Sequence, residues 1–469
     1  MTTQPITQKH IVFVTTADTD ILTVDRAIST LNIPDLPEVV AFNPVSSEDA
    51  SSPLYIRRNL ENAGVVVLRL LGGKRAMPDT FDVLSDYCHS HDIPLVACPG
   101  HQEWDEDLIT ACSVPVAELE TVFAYLMRGG VHNFSNMLLF LSDTYLNSNY
   151  GHEAPEPVPW EGIYHPNYHG VVDIETYTSA HWKSDRPNIG LLFYRAHWMS
   201  GNLAFIDDLI EALESQNANV LPVFSFSLKH NPEDSSEHSE TIRKYMMDDN
   251  GLPRIDCIIN TMGLAMSDIN DEGATIATGW STSLLDQMDV PIIQGVVSTD
   301  SQEKWLASDL GLGPIDTAMN VALPEFDGRI ISVPFSFKEE TSSTNQNALK
   351  SKGLQRYITR PDRVQILTRL AKKWADLRRK TNSEKRIAII MSNYPTKDAR
   401  IGNAVGLDTP ASVINILNAL SQNGYDVQDI PENGDELVHR MIERCSNDRD
   451  SLTEEQLRLA AGHVSNKLY

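Results

Sequence analysis

The densest gathering of chemically capable side chains is the run Phe193-Tyr194-Arg195-Ala196-His197-Trp198-Met199-Ser200-Gly201-Asn202. It falls where a strand-like stretch, Ile189–Tyr194, gives way to a helical pattern of Leu203, Ile206, Leu209, Ile210 and Leu213. Open α/β sheets bind ligands outside the carboxyl ends of their strands, so a site is expected here. Arg195 can fork onto a carboxylate or amide oxygen. His197 can take a proton or bind a metal near neutral pH. Gly201 lets backbone approach a ligand. Asn202 is the expected N-cap of a helix whose free N–H groups attract anions. The same residues also have a plain structural use, Arg195 pairing with an acid and His197 answering a buried backbone group. Residue types leave both uses open.

A second run, NYPTKDARIGNAVGLDTP from Asn393 to Pro410, follows another strand-like stretch, Arg386–Met391. It opens a helix for which Thr409 is the expected N-cap and Pro410 the first-turn residue. Lys397, Arg400, Gly402 and Gly406 resemble an anion cradle, but not a Walker A loop, whose Gly–Lys–Ser/Thr order is absent. A long connection whose glycines serve turns accounts for them equally. Asn260-Thr261-Met262-Gly263-Leu264-Ala265 ends a further strand and either lines the same cleft or only turns the chain. Cys88-His89-Ser90-His91-Asp92 and the pair His165, His169 offer metal-ligand types, but a metal site needs three or four convergent donors. The first is expected to be a solvated helix end, the second a pair of exposed imidazoles in a linker.

The elements that must position these runs read as α/β: several domains built on doubly wound parallel sheets with flanking helices. Ile11–Thr15, Val65–Leu70 and Pro94–Cys98 are continuous apolar runs of the kind buried parallel strands show. Val116–Met127 and Asn133–Leu146 carry helical spacing, which closes a first domain near residue 150. The Pro-rich stretch 151–187 reads as a linker or ordered excursion. A second α/β domain spans 188–338, with strands at Ile189–Tyr194, Val220–Phe226, Ile255–Asn260, Pro291–Gly295 and Arg329–Val333 and a helix at Glu237–Met247. Residues 339–361, containing EETSSTNQN, read as a loop. Residues 362–469 read as the start of a further α/β and helical region, with helices at Asp362–Arg379 and Leu452–Leu468, in a chain expected to be a fragment.

Composition narrows the function classes. Lys and Arg number 38 against 64 Asp and Glu, a formal net charge of −26, so the surface repels phosphate backbones and nucleic acid is not an expected partner. Five widely spaced cysteines without a CxxC argue for reduced thiols and a cytoplasmic setting. The first ten residues hold no apolar signal core, and no apolar run is long enough to cross a bilayer.

Six stretches in order, LRLLGG (68–73), GIYHP (162–166), LLFYRAHWMSGN (191–202), VLPVFSFSLK (220–229), AMNVALPEFDGRI (318–330) and NYPTKDARIGNAVGLDTPAS (393–412), resemble the large subunit shared by aerobic cobaltochelatase and magnesium chelatase. One departure stands at Lys74-Arg75-Ala76-Met77, where the family commonly has an aromatic pair. The resemblance implies a tetrapyrrole-binding subunit of an ATP-dependent chelatase, inserting Co2+ into hydrogenobyrinic acid a,c-diamide on the route to cobalamin. AAA+ partner subunits would use the ATP, none being bound here. Placement at strand ends makes Arg195, His197, Asn202, Arg400 and Asp408 the residues expected around the ring, with His197 as a metal ligand. The resemblance further implies that most catalytic groups lie beyond Tyr469, leaving the isolated chain inactive. The alternatives are a magnesium chelatase subunit handling Mg2+ and protoporphyrin IX, and a non-catalytic tetrapyrrole carrier or sensor.

Overall fold

The computed structural model describes residues 9–45, 52–100, 105–168, 170–226, 241–263, 288–343, 349–351, 354–394 and 397–443, and all of 446–467 except 447, 449, 461, 463 and 466. The chain divides into two compact units, Met1–Ala375 and Asp376–Tyr469.

The first unit is α/β with two doubly wound sheets, as the run of apolar strands required. Its first sheet is built from β1 (His10–Thr15), β2 (Val39–Phe42), β3 (Ala63–Leu70) and β4 (Leu95–Pro99), with α1 (Asp18–Leu31), α2 (Pro53–Leu60), α3 (Pro78–Ser90), α4 (Glu106–Ala111), α5 (Val116–Arg128) and α6 (Gly130–Tyr145) around it. Side chains alternate across the sheet. Ile11 and Phe13 pack in one buried cluster with α1, α5 and α6. Val12 and Val14 pack in another with α2, α3 and α4. Burial on both faces explains why these strands are mostly apolar, with Arg69 near the end of β3 paired to Asp20 at 2.7 Å.

A second sheet follows: β5 (Glu161–Ile163), α7 (Ile174–His181), β6 (Asn188–Tyr194), α8 (Arg195–Ser200), α9 (Ala204–Ser215), β7 (Asn219–Ser225), β8 (Cys257–Asn260), β9 (Ile292–Ser298), β10 (Ile330–Thr341), β11 (Leu349–Ser351), β12 (Leu354–Thr359) and α10 (Pro361–Arg379). The strand orders are β11-β2-β1-β3-β4 and β12-β10-β9-β8-β6-β7-β5. Edge strands β5 and β12 run antiparallel to their neighbours, and the five strands between them run parallel. In each sheet the chain winds first to one side of its founding strand and then to the other. The two switch points therefore lie between β1 and β3 and between β6 and β8.

Several expectations need correction. The segment 339–361 is not a loop: β10 continues to Thr341 and pairs with β12, while β11 joins the first sheet beside β2. Glu339, Glu340 and Thr341 lie where β10 has run past its ladder to β9 and pairs with the edge strand β12 alone, half-buried or exposed, so the apolar signal disappears. The stretch 152–160 is held in place, with Asn133 Nδ2 donating to Glu156 O at 2.9 Å and the Glu153 N–H donating to Asn136 Oδ1 at 2.8 Å. In the second unit, Arg386–Met391 forms no ladder. Ile390 is 92% exposed, while Ile387, Ile389 and Met391 line a groove with Val413, Leu417 and Leu420. Among the described residues only the isolated bridge Asn393–Ile401 follows it. That unit is otherwise helical, with α11 (Thr409–Gln422), α12 (Gly434–Ile442) and α13 (Glu454–Arg458). The last is far shorter than the helix expected over Leu452–Leu468. Much of the helix expected at Glu237–Met247 lies outside the described residues, which hold a single π-helical turn, Ile242–Met246.

The four described cysteines, 88, 98, 112 and 257, are free. Among the described residues no helix is long and apolar enough to cross a membrane.

Candidate functional site at the strand ends of the second sheet

The carboxyl end of β6 runs directly into α8, so Tyr194, Arg195 and His197 stand at the β6–β8 switch point. Tyr194 donates its hydroxyl to Gly263 O, 3.1 Å away, and ties the ends of β6 and β8 together. The Arg195 guanidinium is 4% exposed. It donates through Nε to Pro159 O (2.7 Å) and through Nη2 to Val158 O (3.1 Å) and Arg128 O (3.5 Å), and lies 4.5 Å over the Trp160 ring. Burial pulls its pKa down to about 10, so it remains a cation at neutral pH. The Pro-rich excursion supplies these carbonyls because proline-bound segments leave C=O groups without ladder partners.

His197 packs edge-on against Phe205 and Tyr357, with ring centroids at 4.9 and 5.3 Å. Its Nδ1 is shut off from water without a hydrogen-bond partner, and burial pulls its pKa down to about 4. It is a neutral imidazole at physiological pH. Asn202 is not the N-cap of α9: Leu203 holds that place with no side-chain cap. Gly201, in the left-handed region with φ 68°, ends α8 instead. Asn202 Oδ1 accepts the Tyr357 N–H at 3.2 Å, which pins β12 to the α8–α9 turn. Arg195, His197 and Asn202 are thus one local assembly.

Behind them lies a buried polar network in which the sequence singles out Asn260 and Met262, but not Gln294, Asp316, Asp327 or Arg329 by residue type. Arg329, at the start of β10, donates through Nη1 to Gln294 Oε1 (2.9 Å) and Met262 O (3.1 Å), and through Nη2 to Asp327 Oδ2 (2.6 Å). Asn260 Nδ2 donates to the same Gln294 oxygen and the same carbonyl, both at 3.1 Å. The Arg329 and Asp327 side chains are 1% and 0% exposed. Burial lowers the Arg329 pKa, and the adjacent carboxylate opposes that shift. Asp316 accepts from Ser298 Oγ (2.6 Å) and the Thr299 N–H (2.9 Å) at the end of β9. These residues fix the mouths of three parallel strands. The signal in the sequence was the AMNVALPEFDGRI stretch, which contains Asn320, Asp327 and Arg329.

Arg400 and Asp408 belong to the second unit. Arg400 is exposed and closes a short 3-10 turn, Asp398–Arg400. Asp408, not Thr409, caps α11, accepting the Ala411 N–H at 3.0 Å. Asp408→Ala is expected to lower stability of this unit by about 1 kcal/mol, the usual worth of such a cap. A thermal or urea melt followed by circular dichroism reads that loss, and an unchanged midpoint refutes the cap's importance.

The CobN/magnesium chelatase family pattern matches residues 123–469. The chain is also 35% identical over 424 residues to the aerobic cobaltochelatase subunit CobN of Pseudomonas aeruginosa, covering 89% of this chain and 32% of that protein. The chain belongs to the CobN/magnesium chelatase family. A Sinorhizobium CobN is 30% identical, over 94% of this chain and 33% of its own length. The chloroplastic magnesium-chelatase subunit ChlH of rice is 26% identical, over 89% of this chain and 28% of its own length. Among solved structures, the catalytic subunit of cobaltochelatase from Mycobacterium tuberculosis superposes with a TM-score of 0.69 at 31% identity, covering 93% of this chain and 33% of that one. This family member therefore spans about a third of the length of the relatives it matches.

Proposed function

We propose that this chain is the tetrapyrrole-gripping part of a cobaltochelatase large subunit, acting on a corrin precursor on the route to cobalamin, with Co2+ as the metal substrate. The observation that carries this reading is the similarity to cobaltochelatase subunits at 30–35% identity along 89–94% of the chain, against 26% for the magnesium-chelatase subunit of rice. The β6–β8 switch point supplies a pre-organised wall. Arg195 holds the Pro-rich excursion at its rim, and His197 and Asn202 hold β12. Arg400 in the 393–410 loop is proposed to donate to carboxylate and amide oxygens of the ring, and Asp408 to accept from its amide N–H groups. ATP is proposed to be hydrolysed by separate AAA+ subunits in the cytoplasm, and the isolated chain to bind ring without inserting metal.

Removing pyrrole protons needs a base, and a neutral imidazole is one. Any contact of His197 with the ring depends on the Tyr357 and Phe205 side chains moving off it. The test is quenching of tetrapyrrole fluorescence by the wild-type chain and by Arg195→Lys, His197→Phe and Arg400→Ala. The reading expects hydrogenobyrinic acid a,c-diamide to bind more tightly than protoporphyrin IX, with affinity reduced about tenfold or more in Arg400→Ala. Equal affinity of all four proteins for the corrin would end the assignment of these residues. Preference for protoporphyrin would transfer the chain to the magnesium branch.

A further inference from the structure

Outside the switch point, His165, His181 and Glu214 draw together from the Pro-rich excursion, α7 and α9. The sequence predicts exposure for His165, as one of a pair of linker imidazoles with His169, which lies outside the described residues. Instead the His165 side chain is 3% exposed. The fold achieves this by seating GIYHP against α9. Tyr164 donates its hydroxyl to Asp207 Oδ1 at 2.8 Å, and His165 Nε2 lies 3.4 Å from Glu214 Oε1, two helical turns further along. From the other side, the last turn of α7 brings the His181 ring to 4.4 Å from the His165 ring, centroid to centroid. Tyr177 stacks on His181 at 4.8 Å.

We propose that His165, His181 and Glu214 form a binding site for a divalent transition-metal ion. One donor atom from each of the three lies within 4.8 Å of the others. The decisive spacing is the 3.4 Å between His165 Nε2 and Glu214 Oε1. It is long for a charge-assisted hydrogen bond, which closes to about 2.7–2.9 Å. It fits the edge of a tetrahedron around an ion with bonds of about 2.0–2.1 Å, whose donors stand about 3.3 Å apart. Two imidazoles and one carboxylate suit Zn2+ or Co2+ and leave a fourth position open on the exposed Glu214 side. The Tyr168 hydroxyl, 3.2 Å from His181 Nε2, is the neighbouring oxygen. Binding moves the His165 proton to Nδ1 and releases the Asn167 N–H that Nδ1 accepts at 3.2 Å. Asn167 is exposed, so water takes that N–H over.

A second trio, His132, Glu153 and Glu156, lies on the exposed surface and serves as the control. The experiment titrates the purified chain with Co2+ alone, following the visible bands of tetrahedral cobalt and counting bound ion by equilibrium dialysis. One ion per chain is expected, displaced by Zn2+. Glu214→Gln and His181→Gln should each weaken binding by about tenfold or more, with His132→Gln equal to wild type. Circular dichroism checks that each variant is folded, and Glu214→Gln, at a half-exposed position, keeps the shape of the site. Absence of stoichiometric cobalt on the wild type overturns the proposal, as does equal affinity in Glu214→Gln and His181→Gln. No tetrapyrrole is present in this titration, so its outcome is separate from the ring-binding measurement.

Discussion

Asp327→Ala should destabilise the first unit by about 3–5 kcal/mol, because it strands the Arg329 cation in a site with 1% exposure. The remaining partners of Arg329, Gln294 Oε1 and Met262 O, are neutral oxygens that already accept from Asn260. They cannot replace a carboxylate at 2.6 Å. Arg329→Met in the same background should recover part of the loss, since the buried charge is then gone while the unpaired polar groups remain. Urea unfolding followed by circular dichroism separates the two steps. A loss below about 1 kcal/mol in Asp327→Ala would mean that water reaches the guanidinium and that the network is not a rigid floor for the switch point.

The second large effect is set by pH. Burial pulls His197 down to about 4 in the folded chain, against about 6.5 unfolded. The unfolded chain therefore takes up the proton first as pH falls. The stability associated with the neutral ring is fully present above about pH 6.5, declines through the interval, and is lost below about pH 4. It amounts to up to about 3 kcal/mol. Phenylalanine preserves the edge contacts with Phe205 and Tyr357 and removes the proton site. His197→Phe should therefore lose less stability than wild type between about pH 7.5 and pH 4.5. Parallel urea midpoints for the two proteins would show the ring to be solvated and its packing loose.

The parallel strands were legible because double-sided burial writes itself as uninterrupted Val, Ile and Leu, as in Val65–Leu68. The short strand Val39–Phe42 was not, being four residues hemmed by Pro34 and Pro37. Strands β11 and β12 were hidden for other reasons: β11 is three residues long and pairs with β2, far off in the chain, while β12 is a mixed polar and apolar edge strand (LQRYIT) without a continuous apolar run. Arg386–Met391 has strand composition, yet composition supplies no hydrogen-bonding neighbour, and its backbone runs unpaired. At the site, sequence placed Arg195 and His197 correctly at a strand end. What they touch was not readable, because the carbonyls of Arg128, Val158 and Pro159 reach Arg195 only through tertiary folding. His165 was misjudged in the same way. Proline neighbours suggest exposure, while α7 and α9 close over it from outside the local window.

The seam between β2 and β11 has a consequence for synthesis. Val39 pairs with Leu349, 310 positions later in the chain. Until that tripeptide leaves the ribosome, the nascent first sheet carries a bare edge at β2, open to any neighbouring strand. Most of the unit must thus be made before its opening sheet can be sealed, and a break in the hairpin that carries β11 would reopen that flank in the finished molecule.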